Sequence, residues 1–158
     1  MIHELKEIIN QALANQQKGL KNVLATVVYL EGSSYRKPGV RMLISEDLNT
    51  VGAVSGGCVE KEIIHRASSV FLNNQSKIIT YDGRYKLGCE GILYILLEPF
   101  FISNAFINTF SDATANRESL QIESHFINED EAFGNFGSLI TFKNNEQFVF
   151  SDTFDFKT

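Results

Sequence analysis

The feature of this sequence that most limits its fold is the length of its apolar runs, which are short and rich in β-branched residues. VLATVVYL (23–30) lies between Asn22 and Gly32, and ILYILL (92–97) ends immediately before Glu98. Runs of this length and composition are typical of buried strands. A helix that spans a bilayer needs about 20 apolar residues, so neither run predicts one. The chain is therefore predicted to fold around a β-sheet.

Two segments have the periodicity of amphipathic helices, residues 2–17 and residues 59–72, because their apolar side chains recur every three or four positions. The remaining predicted elements are a hairpin of strands 41–45 and 51–55, strands 77–81 and 92–98, a short helix within 103–113, and strands within 119–127, 137–142 and 146–150. Strands and helices without strict βαβ alternation indicate an α/β or α+β fold: a mixed β-sheet flanked by helices, with C-terminal antiparallel strands.

Length and charge exclude several classes of protein. At 158 residues the chain can bury one ordinary core, so residues 1–158 are expected to form a single domain. A net charge of −5 gives no field that would attract nucleic acid or an acidic membrane surface. The N-terminus has no secretory signal pattern, and two cysteines without such a signal predict a reducing cytoplasmic location with free thiols.

Three glycine-containing loops concentrate the chemically useful side chains, since nine of the 11 glycines precede Pro99 whereas 12 of the 13 phenylalanines follow it. The loops are EGSSYRKPGVRM (31–42), SGGCVE (55–60) and LGCEG (87–91). The first supplies hydroxyls and cations, and the other two each supply a thiol. Loops at the ends of buried strands commonly bind ligands, so these three are the candidate site.

Cys58 follows Gly56 and Gly57 directly before the predicted helix 59–72, and two interpretations of it remain open. The start of a helix offers unpaired N–H groups and a positive dipole end, which would bind an anionic group and favour a thiolate. Alternatively, the glycines form a tight turn with Cys58 packed beneath it. Arg36 and Arg41 suit phosphate or carboxylate recognition, but at least one of the two is expected instead to pair at the surface with Glu31, Glu46 or Asp47.

Other chemistries find less support in the residues. Zinc is not expected because Cys58 and Cys89 stand alone, without a second cysteine two to four positions away. Nucleophilic catalysis needs a base, and Glu60 is better explained as a residue that complements the helix dipole. A Cys58–Cys89 disulfide requires the two loops to meet in space, which the sequence leaves open.

Taken together, the motifs GSSYRKPG, RM, SGGCVE and GCEG, followed by an apolar strand that ends in Glu-Pro, resemble the N-terminal domain of the xanthine dehydrogenase accessory factor family (XdhC/CoxI). The resemblance extends from about Ala25 to Pro99. It implies a maturation factor that is not itself an enzyme. Such a factor binds molybdenum cofactor (molybdopterin) transiently, holds it while a cysteine desulfurase supplies a sulfur ligand, and delivers it to an apo molybdenum hydroxylase. A homodimer is expected.

The resemblance also implies the residues that bind the cofactor, with Cys58 as the ligand that faces the metal. These positions are Gly32, Ser33, Arg36, Gly39, Arg41, Gly56, Gly57, Cys58, Glu60, Gly88, Cys89 and Gly91. The sequence departs from the family pattern at Glu90, where a second glycine is usual and where a carboxylate disfavours a thiolate at Cys89. The Rossmann-like second domain that many members have is expected to be absent, so the sequence is interpreted either as a separately produced N-terminal domain or as a short relative.

Two hypotheses from other classes accompany this one. In the first, the protein transfers sulfur or electrons, with a persulfide on Cys58 that Cys89 resolves. In the second, the glycine loops form a protein interface in a scaffold that binds no cofactor, most simply a homodimer.

Overall fold

The structure is a computed structural model that describes residues 2–31, 39–54, 58–82 and 91–156, except for the side chain of Cys58. Its elements in chain order are α1 (Ile2–Gln17), β1 (Asn22–Glu31), β2 (Arg41–Ser45), β3 (Thr50–Gly52), α2 (Cys58–Arg66), α3 (Ser68–Asn73), β4 (Lys77–Asp82), β5 (Ile92–Pro99), α4 (Asn104–Ala115), β6 (Leu120–His125), β7 (Gly137–Phe142) and β8 (Gln147–Val149). They form a five-stranded sheet of order β3-β2-β1-β5-β4 and a three-stranded sheet of order β6-β7-β8. Sheets flanked by helices confirm the predicted fold class.

Every strand pairing in the described sheets is antiparallel, so the larger sheet is not the mixed sheet that we expected. The reason lies in the connections. Neighbouring strands β2 and β3, and likewise β4 and β5, are joined by loops, whereas a parallel pair needs a crossover of a dozen or more residues. The helical connection that contains α2 and α3 leads from β3 to β4, which lie at opposite edges of the sheet and do not pair.

The larger sheet is covered on both faces. We call the face that carries Leu24 and Leu43 the inner face, because these residues pack in one cluster with α1, α4, β7 and Phe150. We call the face that carries Ala25 and Met42 the helix face, because it packs against α2 and α3. The three-stranded sheet therefore shares its core with the inner face, and it forms the antiparallel meander predicted from the C-terminal strands.

The predicted helix over 59–72 is two helices, α2 and α3, that meet at Ala67. The side chain of Ala67 is fully buried, and its carbonyl accepts hydrogen bonds from Val70 and Phe71. Beside this break the hydroxyl of Ser68 donates to the carbonyl of His65 at 2.9 Å. A serine hydroxyl that competes for backbone groups weakens a helix at that point, so the periodicity of the sequence continues while the helix does not.

The hairpin of β2 and β3 is confirmed, but β3 ends at Gly52 and not at residue 55. Gly52 has a φ of +82°, and a Cβ on it would lie 2.7 Å from the carbonyl oxygen of Arg41. This left-handed backbone is one that glycine adopts without strain, and it turns the chain away from β2. The sequence VGAVS reads as a continuous strand, whereas the glycine within it terminates the pairing.

Candidate functional site

The topology of the larger sheet brings the described residues that flank the three glycine motifs to one end of it. Glu31, Ile92 and Asp82 lie side by side at the ends of β1, β5 and β4. Gly52, the last residue of β3, pairs with Met42 near the start of β2 and so lies toward the same end. We call this end of the sheet, defined by these flanking residues, the loop end.

The predicted site residues are distributed unequally between the described residues and the loops. Gly39, Arg41, Glu60 and Gly91 are described, as is the backbone of Cys58. Those that lie outside the described residues are Gly32, Ser33, Arg36, Gly56, Gly57, Gly88 and Cys89, together with the Cys58 side chain. Gly39 and Gly91 stand just before β2 and β5, the two strands that pair with β1, and so both belong to the loop end.

Gly39 extends the pairing of β2 with β1 by two residues beyond the first residue of β2. Its N–H donates to the carbonyl of Val27 at 2.7 Å, and the N–H of Val27 donates to the carbonyl of Val40 at 2.9 Å. The φ of Gly39 is +97°, a conformation that is unfavourable for a residue with a Cβ. A glycine here therefore lets the chain leave the first loop and enter β2 in register.

Cys58 is the first residue of α2, as the predicted strand-to-helix turn requires. The helix has nine residues, and Val59 and Ile63 anchor it in the core of the helix face. The first N–H groups of a helix have no partner within it and lie at the positive end of its dipole. Glu60 in this first turn complements the dipole. The N–H groups around Cys58 have the polarity that an anionic ligand needs, whereas the carboxylate of Glu60 in the same turn opposes such a ligand.

Arg41 approaches the loop end from the other side of the sheet. It pairs with Thr26 of β1, which places its side chain on the inner face, opposite α2. Its Nη1 donates to the carbonyl of Gly39 at 2.8 Å, so the guanidinium turns toward the first loop. Among the described ion pairs within 4 Å, none joins Arg41 to the surface carboxylates of Glu31, Glu46 or Asp47.

Sequence reasoning missed a buried acid on the same face of the sheet as Arg41. Glu98 is fully buried on the inner face, where its Oε2 accepts a hydrogen bond from Ser138 Oγ at 2.7 Å. The hydroxyl of Ser138 also contacts that of Ser124 at 2.7 Å. Strand alternation is the signal that could have found it, because Leu96 and Glu98 must share a face and Leu96 belongs to a core strand. The Glu-Pro ending by itself indicates only where β5 stops.

Several buried polar atoms near this acid have no hydrogen-bond partner among the described residues. Three of them, Glu98 Oε1, Arg41 Nε and Thr26 Oγ1, belong to residues of the inner face, where Thr26 on β1 lies opposite Arg41 on β2 and diagonal to Glu98 on β5. The fourth is Ser76 Oγ, one residue before the Lys77–Leu97 pair. Most buried polar atoms in proteins are hydrogen-bonded, so a group of unpaired ones marks an unusual environment.

Burial shifts the pKa values of Glu98 and Arg41 toward their uncharged forms. Burial raises the pKa of Glu98 to about 7, although hydrogen bonds from Ser138 and the positive charge of Arg41 act to lower it. Burial likewise lowers the pKa of Arg41, and the charge of Glu98 opposes that change. Desolvation disfavours the charged form of each group, and the partial attraction between the two does not compensate for it.

A cleft of about 780 Å³ opens at the opposite end of the sheet, beside the first residues of β1. It is lined by apolar side chains that include Leu20, Phe71, Phe101 and Phe148. None of the predicted site residues that the structure describes lines this cleft, and its described lining lies at the other end of the sheet from the loop end.

Two further properties bear on the kind of site. Within the described ranges, no group of three or more His, Cys, Asp or Glu side chains is arranged to hold a metal ion. None of the described helices is long and apolar enough to cross a membrane.

These features define an antiparallel α/β scaffold with glycine loops and a helix start at one end of a sheet. Residues 16–82 match the XdhC and CoxI family, so the resemblance predicted from the motifs is confirmed. The match includes the first two glycine motifs and ends before the third. A curated protein of Bacillus subtilis (strain 168), described as a probable component of xanthine dehydrogenase, is 39% identical over 84 residues, which cover 48% of this chain and 26% of that protein.

A solved structure has the same fold. The crystal structure of a protein from Bacillus halodurans, described as a xanthine dehydrogenase, matches 90% of this chain with a TM-score of 0.66 at 24% identity. This chain covers 44% of that one. The chain thus spans about a quarter of the length of the curated relative and less than half of the solved one.

Proposed function

We propose that this protein is an accessory factor that binds molybdenum cofactor and serves the maturation of a xanthine dehydrogenase-like molybdenum hydroxylase. The observation that supports the proposal most is the topology, which brings the strand residues that flank the three glycine motifs, Glu31, Gly52 and Asp82 among them, to one end of the sheet. Two of the three loops lie within the residues that match the XdhC and CoxI family.

The described groups at the loop end fit the chemistry of this cofactor. Molybdopterin carries a terminal phosphate and holds its metal through soft sulfur atoms. The first turn of α2 and the guanidinium of Arg41 are both suited to an anionic group. Cys58, at the start of α2, would supply a soft ligand that faces the molybdenum. The bound cofactor supplies the redox-active metal, whereas this chain supplies binding and protection.

The proposal includes the partners that such a role requires. A cysteine desulfurase would provide the sulfur, an apo molybdenum hydroxylase would accept the cofactor, and two copies of this chain would associate as a homodimer. Residues 1–158 would act as one XdhC/CoxI-like domain, and the protein would catalyse no metabolic reaction of its own.

The test is direct binding of molybdenum cofactor, released from a molybdoenzyme under anaerobic conditions, to the purified protein. Cys58→Ala and Cys58→Ser should each bind at least tenfold more weakly than the wild type, because neither alanine nor a hydroxyl replaces a thiolate on a soft metal. Ser111→Ala is the matched control, since Ser111 is exposed on α4 in another part of the fold.

Unchanged binding in both Cys58 variants would remove the thiol from the site. If the wild type binds no cofactor, the proposed function is wrong. A persulfide detected on Cys58 after incubation with a sulfur donor, in the absence of cofactor binding, would favour the sulfur-transfer hypothesis instead.

A further inference from the structure

Glu98 and Arg41 form a charged pair without the direct contact of an ordinary salt bridge. No ion pair within 4 Å joins them among the described residues, yet each shifts the charge equilibrium of the other. Glu98 Oε1 and Arg41 Nε are both buried, and neither has a hydrogen-bond partner in the part of the chain that the structure describes. A pair built only for stability would bring these two atoms together, because unpaired buried charge is costly.

Among the described residues, Arg41 is the only charged group that acts on Glu98. From β1, Leu24 lies opposite Glu98, and Thr26 follows on the same face. From the second sheet come the hydroxyls of Ser138 and Ser124. The cluster from α1 and α4 that covers this face is apolar. The ionisable neighbours of Ser124 on β6, Glu123 and His125, alternate to the other side of that strand and are about half exposed.

The two members of the pair differ in their access to the loop end. Glu98 is fully enclosed, whereas Arg41 is only partly buried, and its Nη1 is directed toward Gly39 at the end of the first loop. A ligand at the loop end could therefore reach the guanidinium without reaching the carboxyl. A negative charge placed there would weaken the attraction that keeps Glu98 ionised and would add repulsion of its own.

We infer that Glu98 is a proton-linked positioning residue for the cofactor site: it releases Arg41 to an anionic ligand group by taking up one proton from solvent when that group binds. The inference rests on the proposed function for its ligand and adds the regulation of that site. With Glu98 ionised, the charge of Arg41 is already compensated. With Glu98 protonated, the full positive charge of Arg41 is available to a phosphate-like group.

The inference predicts that the affinity for molybdenum cofactor depends on pH through Glu98. If the protonated form binds, wild-type affinity should fall about tenfold between pH 6 and pH 8, since Glu98 loses its proton in that range. Glu98→Gln keeps the shape and the hydrogen bond from Ser138 but cannot ionise. Relative to the wild type, this variant should bind about tenfold more tightly at pH 8 and equally at pH 6. Titration of the cofactor itself affects both proteins and cancels in this ratio.

If the affinities of Glu98→Gln and the wild type have the same ratio at both pH values, the inference is wrong, while the proposed function is unaffected. A second measurement needs no cofactor: the carboxyl carbon of Glu98, labelled with ¹³C, reports its protonation by NMR. Saturation of the wild-type protein with inorganic phosphate should raise the pH midpoint of this titration, and Arg41→Gln should raise it without phosphate. If no cofactor binds at any pH, the function proposal fails, and an unmoved midpoint in both NMR arms would overturn the inference as well.

Discussion

The buried carboxyl of Glu98 should make the folded protein less stable as the pH rises toward neutrality. Its pKa is about 7 in the folded state, against an ordinary value of 4.5. Between these values the folded state holds a proton that the unfolded chain has released. The free energy of unfolding therefore decreases with increasing pH in this window, and the contribution of Glu98 levels off above pH 7.

The size of the effect follows from the same two values. Each tenfold change in proton affinity corresponds to about 1.4 kcal/mol, so Glu98 should cost about 3 kcal/mol between pH 4 and pH 8. Glu98→Gln removes this titration and retains an amide oxygen for the hydrogen bond from Ser138. The variant's stability relative to the wild type should consequently increase by about 3 kcal/mol across that range.

Urea unfolding followed by far-ultraviolet circular dichroism at a series of pH values measures this difference, and subtraction of the two proteins cancels all groups that they share. Glu129→Gln, which replaces an exposed glutamate in a surface turn, is the matched control. A difference between Glu98→Gln and the wild type that stays constant with pH, or that decreases as the pH rises, would refute the reasoning.

Two further predictions concern the scaffold that positions the loop end. Gly52→Ala should destabilise the protein by about 2–3 kcal/mol in urea unfolding, whereas Gly19→Ala should cost about 1 kcal/mol. Both glycines have a positive φ, but only at Gly52 would the new Cβ meet a backbone oxygen, which lies 2.7 Å away. Equal losses of stability in the two variants would mean that the contact between the new Cβ and the carbonyl oxygen of Arg41 does not destabilise the protein. Ser103→Ala should cost about 1 kcal/mol in thermal or urea unfolding, because the Ser103 hydroxyl caps α4 by accepting from Phe106 N–H at 3.1 Å. A loss no larger than that of exposed Ser111→Ala would contradict the cap.

Local patterns in the sequence were sufficient for most elements of the fold. Helix α1 follows from apolar residues at helical spacing and ends near Gly19, whose φ is +79°. The break at Ala67 was not predictable, because its residues keep the periodicity of a single helix. The antiparallel order also lies beyond local pattern, since it depends on which strands become neighbours, and only long-range pairing such as that of β1 with β5 decides this.

The glycine motifs of the candidate site can be identified from the sequence because they are local, and the site that they predict stays a prediction. The buried groups on the inner face could not be predicted in the same way. The face on which Arg41 lies follows from alternation only when its partner strand is known, and the pairing with Thr26 supplies this. Glu98 was missed for a related reason: a charged residue at the end of an apolar run resembles a strand that reaches solvent, whereas the second sheet covers this one.

The effect of Glu98→Gln at pH 8 distinguishes two roles for the pair of Arg41 and Glu98. One is a stabilising ion pair, and the other is the proton-linked role that we infer. A buried ion pair that stabilises the fold would make Glu98→Gln less stable at pH 8, because the substitution would leave a buried arginine without its partner. In our interpretation desolvation of Glu98 outweighs its attraction to Arg41, so the same substitution increases stability at pH 8. It should also increase the affinity for an anionic ligand, because both effects have one cause, the removal of a buried negative charge. Stability and affinity that change in opposite directions in this variant would show that the two roles of Glu98 are not coupled through its charge.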